Sequence, residues 1–211
     1  YLSKEARRML DEAGFENAKI FASGDIDELI LRSLHNQGAR IDCWGIGTKL
    51  ITSDGCPSLG GVYKLAGIEE NGVIVPRLKK SDTPEKITNP GLKKIVRFYD
   101  KKTNKALADI IALKDEDFSS LTSLEIFHPV YTWKKTLLTN FYIEELMIDI
   151  FKGGKQVYES PKVMDIAKYH KEKIGEIWGE YKRDVNPQIY KVDLSDRLYE
   201  LKKELLTKNT F

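Results

Sequence analysis

The chain has 211 residues, enough for one sizeable hydrophobic core or for one domain with an added segment. Its 34 basic and 32 acidic side chains leave a net charge of only +2, which argues against a nucleic-acid binder with a concentrated basic face. No apolar run approaches the roughly 20 residues needed to cross a bilayer, so we expect neither a nucleic acid nor a membrane as a partner.

The chain opens within a helical pattern. Apolar residues at helical spacing predict a helix from Ser3 to Ala13, and Gly14 stands where a C-cap glycine belongs. Because Tyr1 lies directly before this pattern with no lead-in, we expect a fragment, or a chain that works with an upstream partner.

A strand–helix–strand unit is predicted next, with a strand over Ala18–Ala22, a helix over Ile26–Gln37 and a strand over Ile41–Ile46. This order implies two parallel strands joined by a right-handed crossover. Asp25 is expected to cap the helix together with Glu28, in a capping-box pattern. Two parallel strands cannot bury themselves, so this unit should find further strands elsewhere.

After the loop at 53–60, the sequence pattern changes from alternating helix and strand to a series of β-like runs. Asn71-Gly72 lies between two β-like runs, and Asn-Gly between alternating hydrophobic residues is a strong hairpin signal. A second strand pair and a third β-rich stretch follow. The predicted β segments are Val62–Ile68, Val73–Leu78, Lys93–Tyr99, Ala106–Leu113 and Leu124–Trp133. The polar loop Ser81–Gly91, between the two pairs, has no assigned role.

The last fifty residues are predicted to be helical, with one helix from Pro161 to about Tyr181 and another from Ser195 to Leu206. We therefore divide the chain into three parts. Residues 1–59 are the end of a parallel α/β system, residues 60–159 are antiparallel β structure, and residues 160–211 are a helical tail. Cys43 and Cys56 are too few for a disulfide scaffold and are expected to be reduced, partly buried thiols of a cytosolic protein.

Two glycine-bearing turns follow the two predicted parallel strands. The first contains Ser23 and Gly24, and the second contains Gly45, Gly47 and Thr48. The carboxyl ends of parallel strands are where α/β proteins bind ligands, and glycine lets backbone amides approach an anion closely. Backbone amides, hydroxyl groups and the amino end of the following helix could together bind a phosphate without a lysine.

Neither turn is specific alone, because Gly-Ile-Gly-Thr after a strand is more often only a turn. Asp25 and Asp27 have an ordinary role as helix caps. A carboxylate beside a bound phosphate would repel it unless the carboxylate faces away or coordinates Mg²⁺.

Several segments, taken with these turns, resemble nicotinate phosphoribosyltransferases. Phe21-Ala22-Ser23-Gly24-Asp25-Ile26-Asp27-Glu28 resembles a late barrel strand of that family and the helix after it. Ile41 through Leu50 resembles its phosphate-binding loop, and Leu59 through Leu65 follows that loop. Asn89-Pro90-Gly91-Leu92-Lys93-Lys94 and the stretch from Asn186-Pro187 to Ser195 fit its carboxyl-terminal part.

The resemblance implies an α/β fold (α+β overall). It would contain the last strands of an irregular α/β barrel of the type II phosphoribosyltransferase kind, then antiparallel β structure and a helical tail. It implies a cytoplasmic enzyme, usually a homodimer, that makes nicotinate mononucleotide and pyrophosphate from nicotinate and phosphoribosyl pyrophosphate in NAD salvage. Mg²⁺ and coupled ATP hydrolysis are expected for the whole enzyme.

Carried over by motif, the 5-phosphate of phosphoribosyl pyrophosphate should be bound by Ser23, Gly24, Gly45, Gly47 and Thr48. The family's phosphorylated histidine and its nicotinate-binding residues belong to the upstream part of the enzyme, so no catalytic residue and no metal ligand is assigned to this chain. Alone, it should be inactive.

Two other functions remain open from the sequence. The chain could be a noncatalytic phosphate-binding or interaction module that kept the turns and lost the chemistry. It could also be the phosphate end of another barrel enzyme, such as a quinolinate-type phosphoribosyltransferase, although the β-rich part after Gly60 and the helical tail disfavour this.

Overall fold

The structure is a computed structural model that describes residues 1–131 and 133–208. The chain forms two compact units, the first spanning Tyr1–Val62 and the second beginning at Tyr63. Helices and strands are mixed in both, which confirms the predicted α/β class. Among the described residues, no helix has both the length and the apolar character needed to span a membrane.

The first unit contains the predicted strand–helix–strand arrangement. Its elements are α1 (Leu2–Glu12), β1 (Phe21–Ser23), α2 (Glu28–Asn36), β2 (Cys43–Gly45) and α3 (Thr48–Ile51). β1 and β2 pair in parallel, as predicted, although each strand is shorter than the sequence pattern indicated. Three residues of each strand pair, and the two strands form a sheet of their own within the unit.

Glycine ends both long helices of this unit by the same backbone geometry. Gly14 has a φ of +81°; its amide donates to Asp11 O at 3.0 Å, and the next amide donates to Leu10 O at 2.8 Å. Gly38 (φ +67°) repeats the pattern with His35 O and Leu34 O. These are Schellman motifs, in which a left-handed residue turns the chain and satisfies the last carbonyls of the helix. The predicted end of each helix is therefore confirmed.

The start of α2 differs from the prediction. Asp25 has a φ of +44° and lies in the turn, whereas Asp27 caps the helix, with its Oδ1 accepting from the Ile30 amide at 2.8 Å. The predicted cap at Asp25 and the predicted start at Ile26 are therefore wrong by two residues. The error arose because either aspartate could supply the capping oxygen, and the position of the turn at Gly24 decided between them.

Polar contacts, more than buried side chains, hold the first unit together. Arg7 donates to Ala18 O at 2.6 Å and to Phe15 O at 2.8 Å, and Lys4 donates to Gln37 O at 2.8 Å. Within residues 1–62, all of which the structure describes, Ile26 is the only fully buried apolar side chain. Cys43 and Cys56 are both exposed, which corrects the expectation of partly buried thiols.

The second unit is built on a six-stranded mixed sheet in the order β8-β7-β12-β6-β5-β9. The strands are β5 (Lys93–Asp100), β6 (Ala106–Leu113), β7 (Ser123–Phe127), β8 (Lys135–Thr139), β9 (Phe141–Glu145) and β12 (Val192–Leu194). Two small hairpins lie outside it, β3 (Gly67–Glu70) with β4 (Val73–Pro76), and β10 (Phe151–Lys152) with β11 (Lys155–Gln156). The hairpins predicted at Asn71-Gly72 and between β5 and β6 are confirmed. The predicted bounds of two segments are wrong, since the strand expected over Val62–Ile68 is Gly67–Glu70 and the one expected over Leu124–Trp133 ends at Phe127.

One face of this sheet carries the hydrophobic core. Phe98 is fully buried and meets Phe141 edge to face, with ring centroids 4.7 Å apart, and Phe118 at 5.8 Å. The other buried members are aliphatic, namely Val96, Ala108, Ile110, Ala112, Ile126 and Leu138. Since the core draws on five of the six strands and on a loop residue, it makes the sheet one packed body.

The carboxyl-terminal segment enters the middle of this sheet. β12 pairs in parallel with β6 and antiparallel with β7, between which it lies. Ser195 then caps α5 (Asp196–Thr207), accepting from the Leu198 amide at 3.2 Å, and its hydroxyl donates to Glu116 at 2.6 Å. The final helix was predicted almost to the residue, but the strand before it was not predicted.

Helix α4 (Val163–Glu176) buries none of its side chains and is held by a polar network at its carboxyl end. The Tyr99 hydroxyl lies 2.7 Å from Glu144 and 2.8 Å from Glu176, and Lys173 donates to Glu144 at 2.7 Å. The predicted continuation to Tyr181 is wrong, since the helix ends at Glu176 and a 3₁₀ turn (Gly179–Lys182) follows.

The network at Tyr99 shifts the proton equilibria of its members. Burial, together with the two carboxylates, raises the pKa of the Tyr99 hydroxyl. Burial also acts to raise the pKa of Glu144, but hydrogen bonds from Lys173 and Tyr99 outweigh it, so the pKa of Glu144 lies below its usual range.

Replacing Leu198 by alanine should lower the free energy of unfolding of the second unit by about 2–5 kcal/mol, because the side chain is fully buried beneath α5 and a cavity would remain. Met164→Ala on α4 is the matched control; its side chain is 78% exposed, so a change within about 0.5 kcal/mol is expected. Urea denaturation of both variants measures the difference. Equal losses would mean that α5 is not packed on the sheet.

Glu144→Gln should lower the free energy of unfolding by about 0.5–1 kcal/mol at pH 7, a modest value because the side chain is 38% exposed. Since the folded pKa lies below the unfolded one, the carboxylate stabilises the fold above the ordinary glutamate range, and this contribution is lost as the pH falls through the folded pKa. Denaturation series at pH 7 and at acidic pH should therefore show the two proteins converging. The exposed Glu159, replaced by glutamine, should show no such convergence.

Candidate functional site

The parallel pairing of β1 with β2 places the two predicted turns at one edge of the first unit. Ser23 lies opposite Gly45 in the ladder, so both strands end at the same level. At the opposite end, Asp42 fixes the register: its amide donates to Ile20 O and its Oδ2 accepts from the Ile20 amide, both at 2.9 Å. The backbone hydrogen bond from Ile20 keeps the pKa of Asp42 low, so this clamp is ionised at neutral pH.

The first turn reverses through two successive left-handed residues. Gly24 has a φ of +111°, which favours glycine, and Asp25 follows with a φ of +44°. Ser23, Gly24 and Asp25 are all exposed, and the chain then buries Ile26. The turn is thus fixed on one side by the β1 ladder and on the other by the single buried apolar residue of the unit.

Gly45 and Gly47, the glycines of the second turn, differ in what surrounds them. A Cβ at Gly45 would lie 2.9 Å from the Phe21 ring and 3.0 Å from Ser23 Cβ, so contact with β1 requires a glycine there. A Cβ at Gly47 would have no atom within 4 Å. Packing against β1 therefore explains why position 45 is a glycine, whereas no neighbouring atom within the chain requires a glycine at position 47.

Thr48 begins α3, with Gly47 at the N-cap position. Thr48 is exposed, and its carbonyl accepts from the Thr52 hydroxyl at 2.6 Å, one turn later. The first amides of any helix lack partners within that helix, so the amides at the start of α3 can donate to an anion, and the Thr48 hydroxyl adds a further donor.

The charges near the turns restrict where an anion can bind. A cavity of about 340 Å³ between α2 and α3 is lined by the carboxylates of Asp27, Glu28 and Asp54 and by a single cation, Lys49. Lys49 pairs with Asp54 at 2.5 Å, and this contact raises the pKa of Lys49, with Asp27 and Asp25 adding to the effect. Because carboxylates predominate, this cavity does not suit a phosphate, and the exposed turn residues provide the better anion donors.

The structure thus brings Ser23, Gly24 and Gly45 to one edge and places Gly47 and Thr48 within three residues of it along the chain. At the amino end of α2 the Asp27 carboxylate accepts from the Ile30 amide, so this amide already has a partner within the chain. Lys49 was not singled out from the sequence, although a lysine directly after the Gly-x-Gly-Thr turn was a usable signal. Among the described residues, no cluster of His, Cys, Asp and Glu side chains could bind a metal ion.

Comparison with known proteins shows relatives along nearly the whole chain. The chain is 46% identical to nicotinate phosphoribosyltransferase of Bacillus subtilis (strain 168) over 97% of its own length and 44% of that protein. It is 33% identical to nicotinate phosphoribosyltransferase of Dictyostelium discoideum over 95% of its length and 36% of that protein. The chain therefore spans less than half the length of these relatives.

The fold has a counterpart among solved structures. The crystal structure of human nicotinic acid phosphoribosyltransferase matches with a TM-score of 0.70 and 23% identity, over 97% of this chain and 36% of the human one. The family described as "Nicotinate phosphoribosyltransferase C-terminal domain" matches residues 92–202, which include the mixed sheet and most of α5. The chain therefore belongs to the nicotinate phosphoribosyltransferase family, of which it represents the carboxyl-terminal part.

Proposed function

We propose that this chain is the phosphate-binding carboxyl-terminal part of an enzyme that makes nicotinate mononucleotide and pyrophosphate from nicotinate and phosphoribosyl pyrophosphate, in NAD salvage. The two turns at the carboxyl ends of β1 and β2 bind the 5-phosphate of phosphoribosyl pyrophosphate. The observation that carries this proposal is the parallel register that ends β1 and β2 at the same level, because it places the exposed Ser23 and Gly24 at the same edge as the turn that leads to the exposed Thr48.

The proposed site residues have two roles: most donate hydrogen bonds to the phosphate, and Gly45 allows the two strands to lie close together. The amides of Gly24, Gly47 and Thr48 and the hydroxyls of Ser23 and Thr48 donate to the phosphate oxygens. Gly45 acts indirectly, because the absence of its side chain lets β1 lie close enough to bring Ser23 beside the second turn. The phosphate lies outside the acidic cavity between α2 and α3.

These residues would position the substrate and not react with it. The transfer should develop positive charge on the ribose ring and negative charge on the departing pyrophosphate. Binding the non-reacting 5-phosphate orients the ribose, and such binding lowers the barrier through proximity and orientation. The residues that activate nicotinate are proposed to lie outside this chain.

The surface of the first unit supports completion by further chain. An open groove of about 750 Å³ is lined largely by apolar side chains, among them Leu2, Ile20, Phe21, Leu34 and Ile41. The unpaired edges of β1 and β2 are free to accept neighbouring strands within this unit, since its sheet has only these two. We propose that the rest of the enzyme supplies those strands and completes an α/β barrel around the turns.

Further properties of the whole enzyme belong to the same proposal. They are the use of ATP and Mg²⁺, a homodimeric assembly and a cytoplasmic location. The donors at the two turns are amides and hydroxyls, which suit phosphate oxygens and not a metal ion. Mg²⁺ would therefore enter with the pyrophosphate group of the substrate and not through a protein site on these turns.

The phosphate site can be tested by titrating Mg²⁺-phosphoribosyl pyrophosphate into the chain supplied with the amino-terminal segment of the Bacillus subtilis relative. Thr48→Val should weaken binding about tenfold or more, because one hydroxyl donor to a charged oxygen is lost. Thr52→Val is the matched control, because its hydroxyl donates to Thr48 O within α3. It should leave the dissociation constant nearly unchanged.

Equal affinities of the wild type, Thr48→Val and Thr52→Val would contradict the assignment of the site. The same mixture, supplied with nicotinate and ATP, should form nicotinate mononucleotide, whereas the chain alone should not. Binding without turnover in the mixture would favour a noncatalytic phosphate-binding module over the enzyme.

Alanine substitutions at the two glycines of the second turn should distinguish an effect on stability from an effect on ligand affinity. Gly45→Ala should destabilise the first unit by about 1–3 kcal/mol, because the new methyl group would press on Phe21 and Ser23. Gly47→Ala should destabilise the unit less than Gly45→Ala, because no atom lies within 4 Å of its methyl group, yet it should weaken phosphoribosyl pyrophosphate binding. Amide exchange across β1 and β2 measures the first effect and titration the second. Unchanged binding in Gly47→Ala would mean that no ligand uses that space.

A further inference from the structure

A second cavity lies in the other unit, beside α5. It has a volume of about 340 Å³, at the lower end of the range for small-ligand pockets. Most of its lining is apolar, from Pro84, Ile87, Pro129, Val130, Leu206 and the Tyr199 ring. The family's reaction, as proposed above, assigns no role to this cavity.

The lining also contains a buried cation. Lys202 is only 8% exposed, and its ammonium donates to Asn89 Oδ1 at 2.8 Å. Among the described residues no carboxylate pairs with it. Burial lowers the pKa of Lys202, which is the response of an ammonium group that has lost water without gaining a counterion.

The lining around Lys202 contains a second lysine. Lys203 lines the cavity with its ammonium 3.5 Å from Glu200, and among the described lining residues none is an aspartate or glutamate. Thr88, which stands between the lining residue Ile87 and Asn89, has a buried hydroxyl without a hydrogen-bond partner in the described part of the chain. A buried ammonium without a counterion is costly, so this cavity favours an anion.

We propose that the cavity binds a small organic monocarboxylate with an aromatic or aliphatic body. The carboxylate pairs with Lys202, and the body lies against Leu206, Ile87 and the Tyr199 ring. Lys203 is exposed and lies 3.5 Å from Glu200, so Lys202 is the buried ammonium in the lining that needs a counterion, and one negative charge matches it. Tyr199 is held in place for this role, because its ring stacks on Phe127 with centroids 5.5 Å apart.

Three small molecules test separately the negative charge and the apolar body of the proposed ligand. Phenylacetate carries both, phenylacetamide is its neutral analogue, and acetate has the charge with almost no body. Titrations of the whole chain, followed by amide chemical shifts, should show saturable binding of phenylacetate with shifts at 84–89 and 199–207. Binding of the other two should be at least about tenfold weaker, since each lacks one half of the interaction.

Matched variants locate the site. Lys202→Met keeps the length and the apolar stem of the side chain but removes the ammonium, and should weaken phenylacetate binding about tenfold or more. Lys203→Met removes an exposed charge from the same lining and should change affinity less than about threefold. Leu206→Phe fills the space for the body and should also abolish binding, which keeps the test valid if Lys202→Met is poorly folded.

Three results would overturn the proposal. They are no saturable binding of phenylacetate, equal binding of phenylacetate and phenylacetamide, and full retention of binding in either Lys202→Met or Leu206→Phe. None of these measurements uses phosphoribosyl pyrophosphate, so they can contradict the carboxylate-binding proposal without contradicting the proposed phosphate site.

Discussion

The parallel pairing of β1 with β2 is the constraint on which the candidate site depends. It comprises only three residue pairs, and its register is fixed at one end by Asp42 against Ile20 and at the other by the close contact of Gly45 with Phe21. A shift of one residue would turn Ser23 to the other face and separate the two turns. The arrangement of the turns is thus a consequence of register, and Gly45 secures that register because a side chain there would clash with Phe21 and Ser23.

The sequence predicted the first unit well where local chemistry decides the structure. Helix ends at Gly14 and Gly38 followed from backbone geometry that glycine adopts without strain. The cap of α2 was misplaced by two residues because Asp25 and Asp27 have the same chemistry, and only the fold of the preceding turn separates them. The sequence did not indicate the ion pair of Lys49 with Asp54, because the two residues and Asp27 come together only in the folded chain.

Strand β12, like β8 to β11, lies outside every β segment predicted from the sequence, and it shows where local patterns fail. Val192–Leu194 is too short to display an alternating pattern, and its partners β6 and β7 lie far away along the chain. Its position follows instead from non-local contacts, in which Ser195 joins the end of β12 to Glu116 and begins α5. The helical tail is therefore part of the sheet that it follows.

The two units differ in how their apolar surface is used, and this difference bears on function. The second unit buries a contiguous core, and its buried Lys202 ammonium has no carboxylate partner among the described residues. The first unit buries Ile26 alone among its apolar side chains and exposes a broad apolar groove. Apolar surface of that extent is costly in water, and exposed patches of this kind mark interaction surfaces. The turns proposed to bind phosphate lie on this same unit, so the proposed completion of the barrel by the rest of the enzyme would couple formation of the binding site to assembly.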